Sequence, residues 1–339
     1  MKLFLKITLL ALAFSKIAGA QSFKILPLAS GKNTSIRGIS VVDKQVAWVS
    51  GSNGWIAKTI NGKDFEWWQI SGYEKIDFRD IEAFSDQDAI ILSAGSPAYI
   101  FKTMDGGKSW EKKYENNDSN IFLDGMDFWN AKEGIAFGDP INGIMQLLMT
   151  KDGGETWENI SDKTNIRLND GEAGFAASGT GIKVVKNKVY IATGGTFSRL
   201  FTSTDKGITW KSEDLPLIHG RSSTGCFSID VFKNKLFAVG GDYLQDENSS
   251  KNYTLKNQGE WTQATVPPFG YKSCIVGIND KVVLTTGTSG TDLSVDGGKT
   301  FSNLSKEGFH VCKKAKKGKL ILLAGSEGRI ACLSNKLLK

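Results

Sequence analysis

The chain has 339 residues, enough for two average domains or one large repeat fold. Its 42 lysines and arginines against 36 acids give +6, too small an excess for nucleic-acid binding, which shows as a basic face or stripe. Glycine reaches 38 residues without a G-X-Y period, which excludes collagen, and 9 Trp with 19 Phe exclude a disordered chain.

The first segment reads as an address. Two lysines open it, Ile7 to Phe14 is apolar except for Thr8, and Ala18-Gly19-Ala20 supplies the small-x-small pattern of signal peptidase. These are the parts of a secretory signal peptide, and the apolar run is too short for a permanent anchor. The expectation is a signal peptide over 1–20, cleavage after Ala20, and an exported protein, periplasmic or extracellular. No later segment has the apolar length of a membrane helix. Without the segment the charge falls to +3.

Phe23-Lys-Ile-Leu-Pro27-Leu28 follows as a strand without a neighbour in sequence. Beyond it one pattern recurs, Ser/Thr-x-Asp-x-Gly-x-x-Trp/Phe. It occurs at Thr103 to Trp110, Thr150 to Trp157, Ser203 to Trp210 and Ser294 to Phe301. Altered copies begin at Thr59, with Asn61 in the Asp position, and at Thr254, which has lost the Asp. This is the Asp-box, or BNR repeat, and its residue types suit a β-hairpin. The Asp accepts backbone N–H bonds within the turn, and Gly supplies a positive φ. Its aspartates are therefore read as structural.

Each box is preceded by a strand pair. Second strands end on glycine at Gly51, Gly95, Gly138, Gly194, Gly240, Gly287 and Gly325, after first strands centred on Ile39, Ile81, Met126, Ile182, Ile229, Ile275 and Cys312. Box starts step by 44, 47, 53, 51 and 40 residues, the spacing of a β-propeller blade. The expected fold is all-β: a seven-bladed β-propeller with Asp-box hairpins over 21–339. The seventh unit stops without an outer strand, so residues 23–28 should complete it and close the ring, removing an exposed sheet edge.

With these boxes and this blade grammar the chain resembles the photosystem II stability/assembly-factor-like propellers. Blade two carries the resemblance best, from Phe78-Arg79-Asp80-Ile81 through Leu92-Ser-Ala-Gly95 to Phe101-Lys-Thr103-Met-Asp105-Gly-Gly-Lys-Ser-Trp110. Members include exported proteins of non-photosynthetic bacteria. In photosynthetic relatives the propeller binds a membrane-protein subunit during assembly through an arginine-rich patch, so the resemblance implies a protein partner. Here the arginines are Arg37, Arg79, Arg167, Arg199, Arg221 and Arg329. Sialidases also carry Asp-boxes, on six blades, but their Arg-Ile-Pro motif is absent; the nearest counterpart is Arg37-Gly-Ile-Ser40.

Propellers place ligands at the mouth of the axial channel, lined by the starts of the inner strands. Two positions before each core residue stand Arg37, Arg79, Asp124, Thr180, Phe227, Ser273 and His310. This mostly polar column suits a solvated lip, with Glu172, Arg221, Tyr271 and Lys272 just upstream. Arg37 and Arg79, in equivalent sites of adjacent blades, could clamp a carboxylate. Asp124 and Glu172 could form a hydrolytic carboxylate pair. The candidate binding residues are thus Arg37, Arg79, Asp124, Glu172, Arg221, Lys272 and His310.

No His/Cys spacing resembles a zinc site, and neither a dinucleotide fingerprint nor a nucleophile elbow occurs, so no metal or cofactor is expected. Cys226, Cys274, Cys312 and Cys332 allow three full pairings, left open. Lys313-Lys314-Ala-Lys316-Lys317-Gly-Lys319 falls at the inner turn of blade seven, and Gly240 to Asn257 reads as a long surface loop. The residues favour a monomeric, non-enzymatic propeller that binds a protein or extracellular ligand through its axial face. The alternative is a sialidase-like glycoside hydrolase or glycan-binding propeller.

Overall fold

The computed structural model describes residues 23–164 and 166–335; the expected signal peptide lies outside them. The strands form seven antiparallel sheets arranged as a seven-bladed β-propeller. Blade one runs from the axis outward through Ile36–Val41, Ala47–Gly51, Trp55–Thr59 and Glu66–Gln69. The inner strands of the other blades are Phe78–Ala83, Leu123–Phe128, Ile182–Val185, Thr224–Phe232, Cys274–Gly277 and Val311–Lys314.

Burial follows position in the blade. Second strands such as Ala47–Gly51 and Ala89–Ser93 are buried throughout, which their continuous apolar runs anticipate, because both sheet faces are covered. The outer strand Glu111–Asn116 is largely solvated. The cores therefore lie between blades. Trp48, Ile56, Phe78, Ile91 and Phe101 fill the space between blades one and two, and Ile90, Leu92, Leu123, Ala136 and Leu148 the next one. Trp48 is fully buried and meets Trp68 and Trp110 edge-on at 5.8 and 6.2 Å. Such pairs contribute roughly 0.5–1.5 kcal/mol beyond area burial.

The recurrent turns tie themselves together and then tie blades together. In blade two Thr103 Oγ1 donates to Asp105 Oδ1 at 2.9 Å and accepts the Gly107 N–H at 2.9 Å. Asp105 also accepts the Ser109 N–H and hydroxyl, at 2.9 and 2.6 Å. The bonds repeat around Asp152, Asp205 and Asp296. Gly107 has φ +89°, and a Cβ there would lie 2.4 Å from the Trp68 ring of the preceding blade. Gly154 meets Ile90 and Gly298 meets Tyr253 in the same way. The second glycine of the motif is thus where each hairpin seats against its neighbour.

Closure follows the sequence reading. Phe23–Ala29 pairs antiparallel with Ile330–Asn335, from Phe23↔Asn335 to Ala29↔Ile330. It is the outer strand of the seventh sheet, so Pro27 sits on an edge where a missing N–H is tolerated. Among the described residues no helix is long and apolar enough to cross a membrane.

The free edge of each inner strand poses a problem, since its outward N–H groups lack a ladder partner. Side chains of the preceding blade supply it. Ser40 Oγ accepts the Ala83 N–H at 3.0 Å, Asp80 Oδ2 that of Met126 at 2.9 Å, and Asp127 Oδ2 that of Val184 at 2.7 Å. Ser228 and Asp230 do the same for Ile275 and Gly277. Between blades seven and one, the Lys316 and Lys317 N–H groups reach the Val41 and Val42 carbonyls.

Candidate functional site

The inner-strand starts converge, but not on an open lip. The link from blade three to blade four, residues 169–181, runs across the axis and covers them. Glu172–Ala173 pairs with Gly194–Gly195, and Gly194 pairs with Gly225, which makes sheet five six-stranded. A Cβ on Gly194 would stand 2.9 Å from Gly225 Cα, so only glycine permits this backbone approach. Phe175 stacks on Phe227 at 3.8 Å, and Ser178 Oγ donates to the Ser273 carbonyl at 2.7 Å. The expected solvated lip is corrected accordingly: Asp124, Thr180, Phe227 and Ser273 are all buried.

Arg37, Arg79 and His310 are the part of the column that stays half-buried rather than covered. Arg37 Nη1 donates to the Ala177 carbonyl at 3.0 Å, and Arg79 Nη1 to that of Ala176 at 2.8 Å. Arg79 Nε also pairs with Asp77 at 2.7 Å. Burial and the neighbouring Arg79 guanidinium lower the Arg37 pKa. His310 lies nearby, its Nε2 2.9 Å from Ser326 Oγ. Burial, with the fields of Arg37, Arg329 and Arg79, pushes the imidazole down to about 3, so it is neutral at pH 7.

The remaining candidates have other occupations. Asp124 is 1 % exposed and adjoins Asp139; burial and that carboxyl push its pKa well above the usual range. Burial raises Asp139 to about 6, and its Oδ1 accepts the Gly174 N–H at 2.9 Å. Both carboxyls beneath the crossing segment are thus biased toward the protonated form. Glu172 does not offer Asp124 a free catalytic partner. It is buried and accepts from Arg199 at 2.6 Å, Thr193 at 2.6 Å and Asn169 at 2.9 Å. Burial alone would raise its pKa, but these bonds hold it low.

Lys272 is fully buried, bonded to Asp292 at 2.6 Å, Gly290 O at 2.9 Å and Ser289 at 3.0 Å, and presents nothing to a ligand. Arg221 is exposed at the rim and pairs with buried Asp242 at 3.1 Å. The surface loop expected over Gly240–Asn257 is shorter than read, because Lys235–Asp242 and Tyr253–Asn257 are paired strands of blade five. The turn between them is held from inside by Asn252, which is fully buried and donates to the Pro268 and Gly270 carbonyls. Its tip is exposed at Tyr243 and Leu244.

Below the crossing segment the axis is a cavity of about 470 Å³, bounded above by Gly179 and Thr180 and reaching exposed Asn130 and Lys316 at the far turns. Glu82, Asp127, Lys183, Asp230 and Lys313 line it. These follow the core residues by one position, a column the sequence reading passed over. The lysine-rich turn of blade seven contributes to this mouth: Lys316 pairs with Glu82, and Lys314 donates to the Ile278 carbonyl. Among the described residues no group of three or more His, Cys, Asp or Glu is placed to hold a metal.

Comparison with known proteins agrees with the resemblance read from the sequence. Residues 61–169 match the family model described as photosynthesis system II assembly factor YCF48. No curated protein matches the chain by sequence. Among solved structures, YCF48 bound to D1 peptide superposes with a TM-score of 0.66 at 14% identity, covering 93% of this chain and 96% of that one. YCF48 from Cyanidioschyzon merolae gives 0.66 and 14%, covering 92% and 99%. The GH74 enzyme of Niastella koreensis gives 0.57 and 13%, with 89% of this chain on 43% of that one. These likenesses are of fold.

Proposed function

We propose that this chain is an exported, non-enzymatic propeller that holds a protein partner through the face carrying Arg37 and Arg79. The observation that carries the reading is the guanidinium pair. Two adjacent blades present arginines at equivalent positions, and each gives one terminal nitrogen to a carbonyl of the crossing segment. Their remaining donors suit a carboxylate or an acidic segment of a partner. The match to the assembly-factor family over residues 61–169 supports the same class of work, as does the likeness in fold to a propeller solved with a bound peptide. A catalytic reading has less to draw on, since Asp124 is covered and Glu172 is paired with Arg199.

The test is affinity. Once a partner has been identified by cross-linking in the envelope, Arg37→Ala/Arg79→Ala should weaken its purified complex at least tenfold without changing Tm by more than a few degrees. An unchanged Kd refutes the assignment of the site. Turnover of any 4-methylumbelliferyl glycoside, lost in Asp124→Asn, refutes the non-enzymatic reading. Amino-terminal sequencing of the envelope protein should begin at Gln21, and an intact Met1 refutes export by cleavage.

A further inference from the structure

We propose that the axial cavity, on the opposite side of the crossing segment from the arginine pair, binds a neutral, hydroxyl-rich small molecule of saccharide type. At about 470 Å³ it falls within the range of roughly 300–1,000 Å³ that accommodates small ligands. Its ring of inner-strand positions reads Ser40, Glu82, Asp127, Lys183, Asp230, Val276 and Lys313, with donors and acceptors interleaved around one level.

The charges select against an ion. Glu82 is paired with Lys316, Lys183 is 3.2 Å from Asp230, and Lys313 is 4.0 Å from Asp80. A charged ligand of either sign would have to compete with a pairing already made, leaving a charge uncompensated inside the ring. Hydrogen-bonding capacity is nonetheless in surplus. The Lys313 ammonium carries three donors, and its ion-pair partner Asp80 stands 4.0 Å away, beyond hydrogen-bond reach. Asp127 accepts the Phe128 and Val184 N–H groups and Asp230 that of Gly277, which leaves both carboxyls with acceptor capacity in the cavity lining. A hydroxyl both donates and accepts, so a polyol meets both needs without bringing charge. Toward the open mouth the cavity is walled by the partly buried rings of Phe84, Trp129 and Phe232, each with a lysine ammonium over its face, so a sugar would meet ring edges and lysine donors together.

Isothermal titration of the protein with glucose, xylose, maltose and cellobiose, with citrate and spermidine as charged controls, tests the site. At least one of the four sugars should bind saturably with one site per chain. Lys313→Met should weaken that binding at least tenfold, and Val276→Trp, which fills the cavity from its apolar ring position, should abolish it. Arg37→Ala/Arg79→Ala should leave it unchanged, so the outcome is independent of the partner-binding face. Absence of saturable heat from all four sugars overturns the proposal. So does saturable binding of only citrate or spermidine, or a sugar affinity indifferent to both cavity variants.

Discussion

Asp105, Asp152 and Asp205 each accept a hydroxyl and a backbone N–H inside their turns, and these bonds pull their carboxyls down to about 2. A carboxyl whose folded pKa lies below its ordinary 3.8 stabilises the fold above that value, and the contribution is lost as pH falls toward 2. Asp105→Ala should therefore lower Tm at pH 7, with the gap to wild type narrowing by pH 2.5 in thermal melts. The opposite sign holds for Asp124, whose pKa is raised well above the ordinary carboxylate value by burial and by the adjoining Asp139 carboxyl. Its contribution is intact below the ordinary carboxylate range and declines as pH rises through the folded value. Asp124→Asn imitates the protonated acid, so its Tm at pH 7 should stay within a few degrees of wild type and fall less on going to pH 9. A large loss at pH 7 would show that the charged form is the one required. Among candidate residues, Arg37, Arg79 and His310 could be grouped from sequence because their positions repeat from blade to blade. The burial of Lys272 and the pairing of Glu172 could not, because Asp292 and Arg199 reach them from other strands of the fold.

At the scale of the element, the recurrent hairpin and the crossing segment contrast in how visible they are. The hairpin repeats, so its turn chemistry and its strand pair can be read from four copies. The crossing segment occurs once, in the 53-residue step between Thr150 and Ser203, and its Gly, Ala and Ser residues carry no period. The surplus length was its signal; the route across the axis depends on contacts with residues up to 140 positions away. Within the hairpin the second glycine is the sensitive point. Gly107→Val combines an unfavourable φ with collision against Trp68 and should destabilise by about 2–4 kcal/mol in urea unfolding. Gly259→Val, at φ +92° with open space around the added carbon, separates the two effects and should be milder. Equal losses would assign the cost to φ alone.

At the scale of the whole molecule, the ring depends on a strand from the opposite end of the chain. Removing residues 23–29 leaves Ile330–Asn335 as a bare edge and uncovers the cluster that Phe23, Val311 and Leu333 share with blades six and one. A drop in Tm of roughly 10 °C or more is expected in calorimetry, and an unchanged Tm would show that the ring holds without it. The architecture was legible because seven near-equal units and an unpaired terminal strand leave little choice of topology. The stopper across the axis was not, and it gives the molecule a direction. Six blades are pinned to one short length of main chain at one end: Arg37, Arg79, Asp139, Thr193, Gly225 and Ser273 or their backbones reach it or its partner strand. At the other end most contacts run between neighbouring blades, and Lys316 of blade seven reaches past blade one to Glu82 and the Ala83 carbonyl of blade two. The ring is therefore laced to one crossing strap at its throat and held mostly blade to blade at its skirt, like a corolla gathered at the base, so its two mouths meet a guest with differently tied walls.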